Sequence, residues 1–294
     1  GYTVWLRPQE VHLGKGVAAN LLRKGYRVIG FDVNPASLEW LKSQGGEAGQ
    51  SLKADASRVQ VLVSFVVNDA QTEEVLFGAQ GAVGSLAAGS LVITCSTMPP
   101  SYVEALGQRL QAHQLALVDA PVTGGKVGAE AGTLTIMVGA LPEHVERARP
   151  VLETFGKRVF VLGDRPGMGS QMKVINQLLC GVHLAAAGEA LGLARRSGLP
   201  LDTTLEILKS GAASSWMLGD RGPRMVNEAW DDVTSAVDIF VKDLGLVVDA
   251  AKAQTYPAPI ANAAYLRFLA TTAKGLGKLD DSAVMRSYTD LYAE

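Results

Sequence analysis

The chain has 294 residues, 48% hydrophobic and 19% charged, with 27 Lys+Arg against 29 Asp+Glu and a formal charge of −2. That length suggests about two domains, and the composition suits a chain that buries a core rather than a disordered tail. The near-neutral balance excludes the basic footprint of a general nucleic-acid binder. Two cysteines, Cys95 and Cys180, are too few for a disulfide scaffold or a four-thiolate zinc site. The histidines, His12, His113, His144 and His183, do not pair at ligand spacing, so no metal site is expected. A reducing, cytoplasmic compartment fits. The start, Gly1-Tyr2-Thr3, shows no basic-then-apolar signal pattern. The uncharged run Val174 to Gly188 is shorter than a membrane span and contains Asn176, Gln177 and His183, so no membrane partner is expected.

In chain order, Val17–Lys24 patterns as a helix and Tyr26–Asp32 as a strand. Leu38–Lys42 follows as a helix, then the nearly continuous apolar strand Val59–Val67, of the kind covered on both faces. Helix Ala70–Leu76, strand Ser90–Cys95, helix Pro100–His113 and strand Ala116–Ala120 come next, with further strands at Leu134–Val138 and Val159–Leu162. Strands alternating with helices imply a doubly wound, mostly parallel sheet. Gly163-Asp164-Arg165-Pro166-Gly167 reads as a turn and hinge. After it, β-branched runs become scarce. One long helix covers Ser170–Arg196 and stops at Ser197-Gly198-Leu199-Pro200. Asp202 is placed to cap a helix over Thr203–Lys209. Helices over Ser235–Gln254 and Ile260–Lys274 complete the pattern. The expectation is an α/β fold with a doubly wound Rossmann-type, dinucleotide-binding domain over residues 1–165. An all-α domain over 166–294 follows it, without internal repeats.

Open parallel sheets bind ligands at the carboxyl ends of their strands. Asp32 ends the second strand and could accept hydrogen bonds from a ribose diol while repelling a 2′-phosphate. Val33 follows it, where an arginine would favour the phosphate; together they point to NAD rather than NADP. Asp32 could equally cap the turn before Asn34-Pro35. The glycine fingerprint that should precede the first helix falls on positions 9, 11 and 14, which are Gln9, Val11 and Gly14. A β-branched Val11 would put side-chain atoms where phosphate oxygens belong, and Pro8 removes an N–H and restricts Arg7. A second register, Gly14-Lys15-Gly16-Val17-Ala18-Ala19, matches G-x-G-x-x-A, but it shortens the first helix.

Asp119-Ala120-Pro121-Val122-Thr123-Gly124-Gly125 and Gly132-Thr133-Leu134-Thr135-Ile136-Met137-Val138-Gly139 resemble the substrate segment of the β-hydroxyacid dehydrogenase family, related to 3-hydroxyisobutyrate dehydrogenase. Gly167-Met168-Gly169-Ser170-Gln171-Met172-Lys173-Val174-Ile175-Asn176-Gln177 resembles its catalytic helix, and Phe240-Val241-Lys242-Asp243-Leu244 its late F-x-K-D-L motif. The match runs from about Val17 to Tyr288. Within the family, Gln177–His183, Ser215-Trp216-Met217, Ser235–Val247 and Asp280–Val284 look like the branch acting on L-threonate. Gln177 stands where most of the family has asparagine, as in that branch, whereas Asn176 stands where that branch has histidine.

The resemblance implies NAD-linked oxidation of a short (poly)hydroxy acid at C2, with Lys173 taking the alcohol proton. A lysine suits that task when burial or nearby charge lowers its pKa. Gln177, one helical turn on and about 40° around the axis, could face the same alcohol oxygen. Thr123, Gly124 and Gly125 would hold the substrate carboxylate, with Ser96 as a further substrate contact. Gly14, Asp32, Val67, Asn68, Thr97 and Lys242 would contact the cofactor. The bland alternatives are a surface lysine for Lys173, a strand-closing turn for Thr123–Gly125 and a solvated pair for Lys242-Asp243. His183 falls on another helix face and suits packing. The cofactor is expected between the domains, and a homodimer or homotetramer through the helical domain. Rival readings are an enzyme acting on 3-hydroxyisobutyrate or tartronate semialdehyde, or a non-catalytic homologue whose Gln9/Val11 loop has lost the cofactor.

Overall fold

Where β-branched residues run together, the first half of the chain forms strands. The structure, a computed structural model, describes residues 2–7 and 13–290. The strands are β1 (Tyr2–Arg7), β2 (Arg27–Asp32), β3 (Glu47–Ala48), β4 (Val59–Ser64), β5 (Leu91–Thr94), β6 (Ala116–Asp119), β7 (Val122–Thr123), β8 (Leu134–Gly139) and β9 (Gly156–Gly163). They lie in the order β3-β2-β1-β4-β5-β6-β8-β7, with β9 on β8. From β3 to β6 all pairings are parallel. β8 runs antiparallel to β6 and β7 and parallel to β9. The chain reverses direction across the sheet at the β1–β4 neighbours, which is where doubly wound folds bind ligands.

β4 ends at Ser64, short of the apolar run that continues to Val67. Ser64 is the last residue paired with β1 and β5, and the following segment turns into a helix capped by Asn68. The helices of this half are α1 (Leu13–Arg23), α2 (Pro35–Ser43), α3 (Leu52–Asp55), α4 (Asp69–Phe77), α5 (Pro100–Ala112), α6 (Gly125–Ala131) and α7 (Pro142–Phe155). Proline opens α2, α5 and α7, where its missing N–H would be unpaired in any case. Alternation along the strands builds two cores. Val28, Val63, Ile93 and Val118 pack with Val17 and Leu21 of α1 and with Leu152 and Phe155 of α7. Ile29, Leu62, Val92 and Leu117 pack with Leu76 of α4 and with Val103, Leu106 and Leu110 of α5. α1 comes close to α6 because Gly16 has no side chain: a Cβ there would lie 2.6 Å from the Ala129 carbonyl carbon.

The second half holds α8 (Met168–Arg196), α9 (Leu201–Ser210), α10 (Trp216–Val226), α11 (Val237–Ala253), α12 (Pro259–Thr271) and α13 (Arg286–Thr289). Two compact units result, residues 1–173 and 174–294, so the division lies within α8. The first turn of α8 belongs with the strands, for reasons given below. Asp202 does not cap α9: the cap position is Pro200, the helix opens at Leu201, and Asp202 lies in the first turn, where its charge suits the helix dipole. α12 passes at Thr272 into a π-helical turn, Thr272–Leu276, in which Gly275 takes a φ of 80°.

The whole of α8 is long and apolar enough to cross a bilayer by length and composition alone, although its uncharged run is shorter than a span. Its Val174, Leu184 and Leu191 are instead buried in the core of the second unit with Leu244 and Val247 of α11, and Phe240 stacks on Phe268 at 5.1 Å. Arg221 holds buried Asp281 with two hydrogen bonds, and Arg224 holds Asp280. These pairs fasten the Asp280–Met285 segment to α10.

Gly16→Val forces α1 away from α6 and is expected to lower stability by about 1–3 kcal/mol, the range for overpacking a tight contact. Urea unfolding of the two proteins checks this, and an unchanged midpoint would contradict the packing described.

Candidate active site

At the carboxyl end of β2, Asp32 uses its two oxygens differently. Oδ1 accepts the Asn34 N–H at 2.9 Å, while Oδ2 is buried and has no hydrogen-bond partner among the described residues. The turn-cap reading and the ligand reading thus each take one oxygen. Val33 beside it is 75% exposed. Past the end of β5, Ser96 is buried and its Oγ also lacks a partner among the described residues; Thr97 beside it is half-buried. Past β4, the Val67 N–H donates to Gln71 Oε1 at 2.9 Å, and Asn68 Oδ1 accepts the Gln71 N–H at 2.8 Å, so this side chain is engaged in capping α4.

β1 ends at Arg7 in register with Asp32, and α1 begins at Leu13. Gly14 and Gly16 are both helical, so the second glycine register is not a phosphate loop ahead of the helix. Pro8, Gln9 and Val11 lie outside the described residues, as does the side chain of Arg7. Among the described residues, a buried carboxylate oxygen without a partner at the end of β2, suited to a ribose diol, and a helix that follows β1 are groups that fit NAD.

The first turn of α8 is fixed to the end of β6. Asp119 is fully buried. Its Oδ2 accepts the N–H groups of Gly167 at 2.9 Å and Ser170 at 2.8 Å, and its Oδ1 accepts the Ser170 hydroxyl at 2.7 Å. Gly167 reaches this position at φ 101°, and a Cβ on Gly169 would lie 2.4 Å from the Met137 carbonyl oxygen. Glycine, glycine and serine in Gly167-Met168-Gly169-Ser170 therefore each answer a separate steric or hydrogen-bonding need. One turn on, Lys173 is only 8% exposed, and its Nζ donates to the Val122 carbonyl at 2.8 Å. It is not the surface lysine of the bland alternative. Next to Val122, Thr123 is half-buried, while Gly124 and Gly125 turn with φ 127° and 65° into α6. Both glycines are exposed and take a conformation only glycine adopts freely.

In the second unit, Gln177 is buried, and its Nε2 donates to Asp243 Oδ2 at 2.6 Å; its Oε1 accepts from Asn176 Nδ2 at 2.9 Å. A carboxylate can only accept, so the Gln177 amide turns its Nε2 to Asp243 and its Oε1 to Asn176. Lys242 Nζ lies 2.9 Å from Asp243 Oδ1 without the alignment of a hydrogen bond, so charge alone holds that contact. Asp243 is buried, so Lys242-Asp243 is not a solvated pair. Sequence reasoning quoted Asp119 and Asp243 within motifs but gave neither a role. Their signal was a carboxylate in an otherwise apolar setting, which a fold buries only with partners. Among the described residues no three His, Cys, Asp or Glu side chains gather to hold a metal.

Two family models cover nearly the whole chain: the NAD binding domain of 6-phosphogluconate dehydrogenase over residues 12–163, and the NAD-binding domain of NADP-dependent 3-hydroxyisobutyrate dehydrogenase over 167–288. The chain belongs to the β-hydroxyacid dehydrogenase family. An L-threonate dehydrogenase of Cupriavidus necator is 42% identical over 94% of this chain and 93% of its own. One of Escherichia coli is 40% identical over 95% and 92%. A crystal structure titled 3-hydroxyisobutyrate dehydrogenase, from Salmonella typhimurium, superimposes with a TM-score of 0.92 at 39% identity, covering 97% of this chain and 99% of that one. This member of the family is an NAD-dependent oxidoreductase of hydroxy acids with a Rossmann-type domain and a helical domain.

Burial pushes the Asp119 carboxyl up to about 6, against the downward pull of its hydrogen bonds from Ser170 and Gly167. The folded state therefore keeps this proton to higher pH than the unfolded chain, and stability from this group falls as pH rises from about 4 to about 6 and then levels. Asp119→Asn cannot titrate. The unfolding free energy of the native protein minus that of the variant should decline over this window and stay flat above about pH 7. A difference that grows with pH in urea titrations would contradict this account.

Proposed function

We propose that this enzyme oxidises L-threonate at C2 to the 2-oxo acid (2-oxo-tetronate), with Lys173 as general acid–base. The observation that carries the reading is the buried Lys173 ammonium on the Val122 carbonyl, directly beside the Thr123–Gly125 turn. NAD, when bound, supplies the hydride acceptor. In this reading Lys173 takes the proton of the C2 hydroxyl, and Val122 holds Nζ in place whether the amine is charged or neutral. The Thr123 hydroxyl and the Gly124 and Gly125 amides bind the substrate carboxylate. Gln177, its amide aimed by Asp243, directs its remaining N–H at the alcohol oxygen. Ser96 adds a hydroxyl for the substrate.

Asp32, Gly14, Val67, Asn68, Thr97 and Lys242 are assigned to the cofactor, Asn68 through its backbone because its side chain caps α4. The carboxylate of Asp32 beside an uncharged Val33 favours NAD over NADP. L-Threonate is favoured over 3-hydroxyisobutyrate and tartronate semialdehyde because two relatives at 40% and 42% identity carry that substrate in their names. Residues 1–165 are assigned to the dinucleotide and 166–294 to substrate closure and self-association. Two free cysteines accord with a reducing, cytoplasmic setting.

Lys173→Ala is expected to lower kcat/KM for L-threonate by about 10²–10⁴-fold while NADH binding, followed by fluorescence, stays near the native value. A fully active variant would sink the role given to Lys173, and faster turnover of 3-hydroxyisobutyrate than of L-threonate by the native enzyme would overturn the substrate.

Assembly is assigned to α8. Met172, Ile175, Leu179 and Leu193 are exposed and recur at helical spacing on one stripe, which suits a second copy in a homodimer or homotetramer. Ile175→Glu with Leu179→Glu is expected to lower the mass measured by sedimentation velocity. An oligomer unchanged in mass would place the interface elsewhere.

A further inference from the structure

Four rotatable bonds separate the Lys173 backbone from its ammonium, so the ammonium position depends on where α8 begins. The contact that seats the start of α8 is lined by glycines. A Cβ on Gly139 would lie 2.8 Å from the Gly169 N, and one on Gly169 would lie 2.9 Å from the Asp119 carbonyl oxygen. Such a surface allows close approach, and apart from the flexible Met168 side chain, which packs against Gly139 and Gly163, these glycines offer mainly backbone contact, a weak barrier to sliding or turning of the helix. The three hydrogen bonds to Asp119 supply the missing registration. Two come from backbone N–H groups at the helix start and fix its depth, and the third, from the Ser170 hydroxyl, fixes its rotation. Ser170 lies one turn before Lys173, and Asp119 lies three residues before the Val122 carbonyl that receives the lysine. A single short strand end thus grips both the helix and the tip of the side chain that the helix carries.

We infer that Asp119 and Ser170 are positioning residues for the reaction, setting the register of α8 so that the Lys173 ammonium meets the Val122 carbonyl beside the carboxylate turn. This rests on the reading of Lys173 as the acid–base group. Neither residue touches the substrate; their effect passes through the lysine. A buried carboxylate is a poor choice for stability alone, because a well-packed apolar contact would hold two elements at least as well. It is a good choice where direction matters, since its acceptor sites are discrete.

Ser170→Ala is the informative variant, because it removes one donor and leaves both backbone N–H groups on Asp119. Two readouts are taken: steady-state kinetics with L-threonate and NAD, and carbamylation of Lys173 by cyanate in the substrate-free enzyme, measured by mass spectrometry. The expected result is a kcat lowered about 10- to 100-fold with KM within about twofold, and Lys173 carbamylated several-fold faster than in the native protein. Ser170→Thr, which keeps the hydroxyl, should return both towards native values. An unchanged kcat or an unchanged carbamylation rate in Ser170→Ala overturns the inference. Failure of the underlying reading looks different: Lys173→Ala would remain active, while carbamylation would still report the grip on the helix.

Discussion

The buried carboxylate of Asp119 is the constraint on which the rest of the site depends. It closes β6 in the middle of the sheet and accepts three hydrogen bonds from the start of α8, the helix that carries both Lys173 and Gln177. Leaving those donors buried and unpaired would be costly, so the chain between residues 119 and 170 must return to this point. It does so through β8 and β9. Gly139 and Gly169 make room for the helix backbone against the strands, and Gly167 makes the turn that delivers the first donor.

From that anchor the chemistry follows in sequence order along one strand end. Asp119 holds the helix, Val122 holds the lysine, and Thr123–Gly125 turns into α6. A second carboxylate, Asp243, does for Gln177 what Asp119 does for the helix start: it gives a flexible polar side chain one orientation. In both cases a buried acid serves geometry: Asp119 is held through both of its oxygens, whereas Asp243 gives Oδ2 to Gln177 and keeps Oδ1 against the Lys242 charge. Among the described residues, Asp32 Oδ2 at the end of β2 and Ser96 Oγ past β5 are two of the buried oxygens without a hydrogen-bond partner.

Much of the fold could be read from periodicity. The strands at Arg27–Asp32, Leu91–Thr94 and Ala116–Asp119 lie where β-branched runs end at polar residues, and α8 follows its apolar pattern almost to the residue. Periodicity failed where a local rule had two outcomes. The apolar run through Val67 continues past the last paired residue because loop residues such as Phe65 and Val66 are also buried. Asp202 resembles a cap, but the preceding proline already fits the cap position. α6 and α7 escaped notice because one opens with two glycines and the other contains Pro150, although Val145, Ala148, Leu152 and Phe155 mark a helix face. Lys173, Gln177 and the Thr123–Gly125 turn were legible as parts of motifs. The work of Asp119 and Asp243 was not, because their partners lie about fifty or more residues away in sequence and no local pattern encodes a contact of that span.

The most direct test is a crystal structure of the enzyme with L-threonate bound. The account predicts the substrate carboxylate on the Thr123 hydroxyl and the Gly124–Gly125 amides, with the C2 hydroxyl within hydrogen-bonding distance of Lys173 Nζ. A carboxylate bound elsewhere, or a C3 hydroxyl at Lys173 in place of C2, would contradict it.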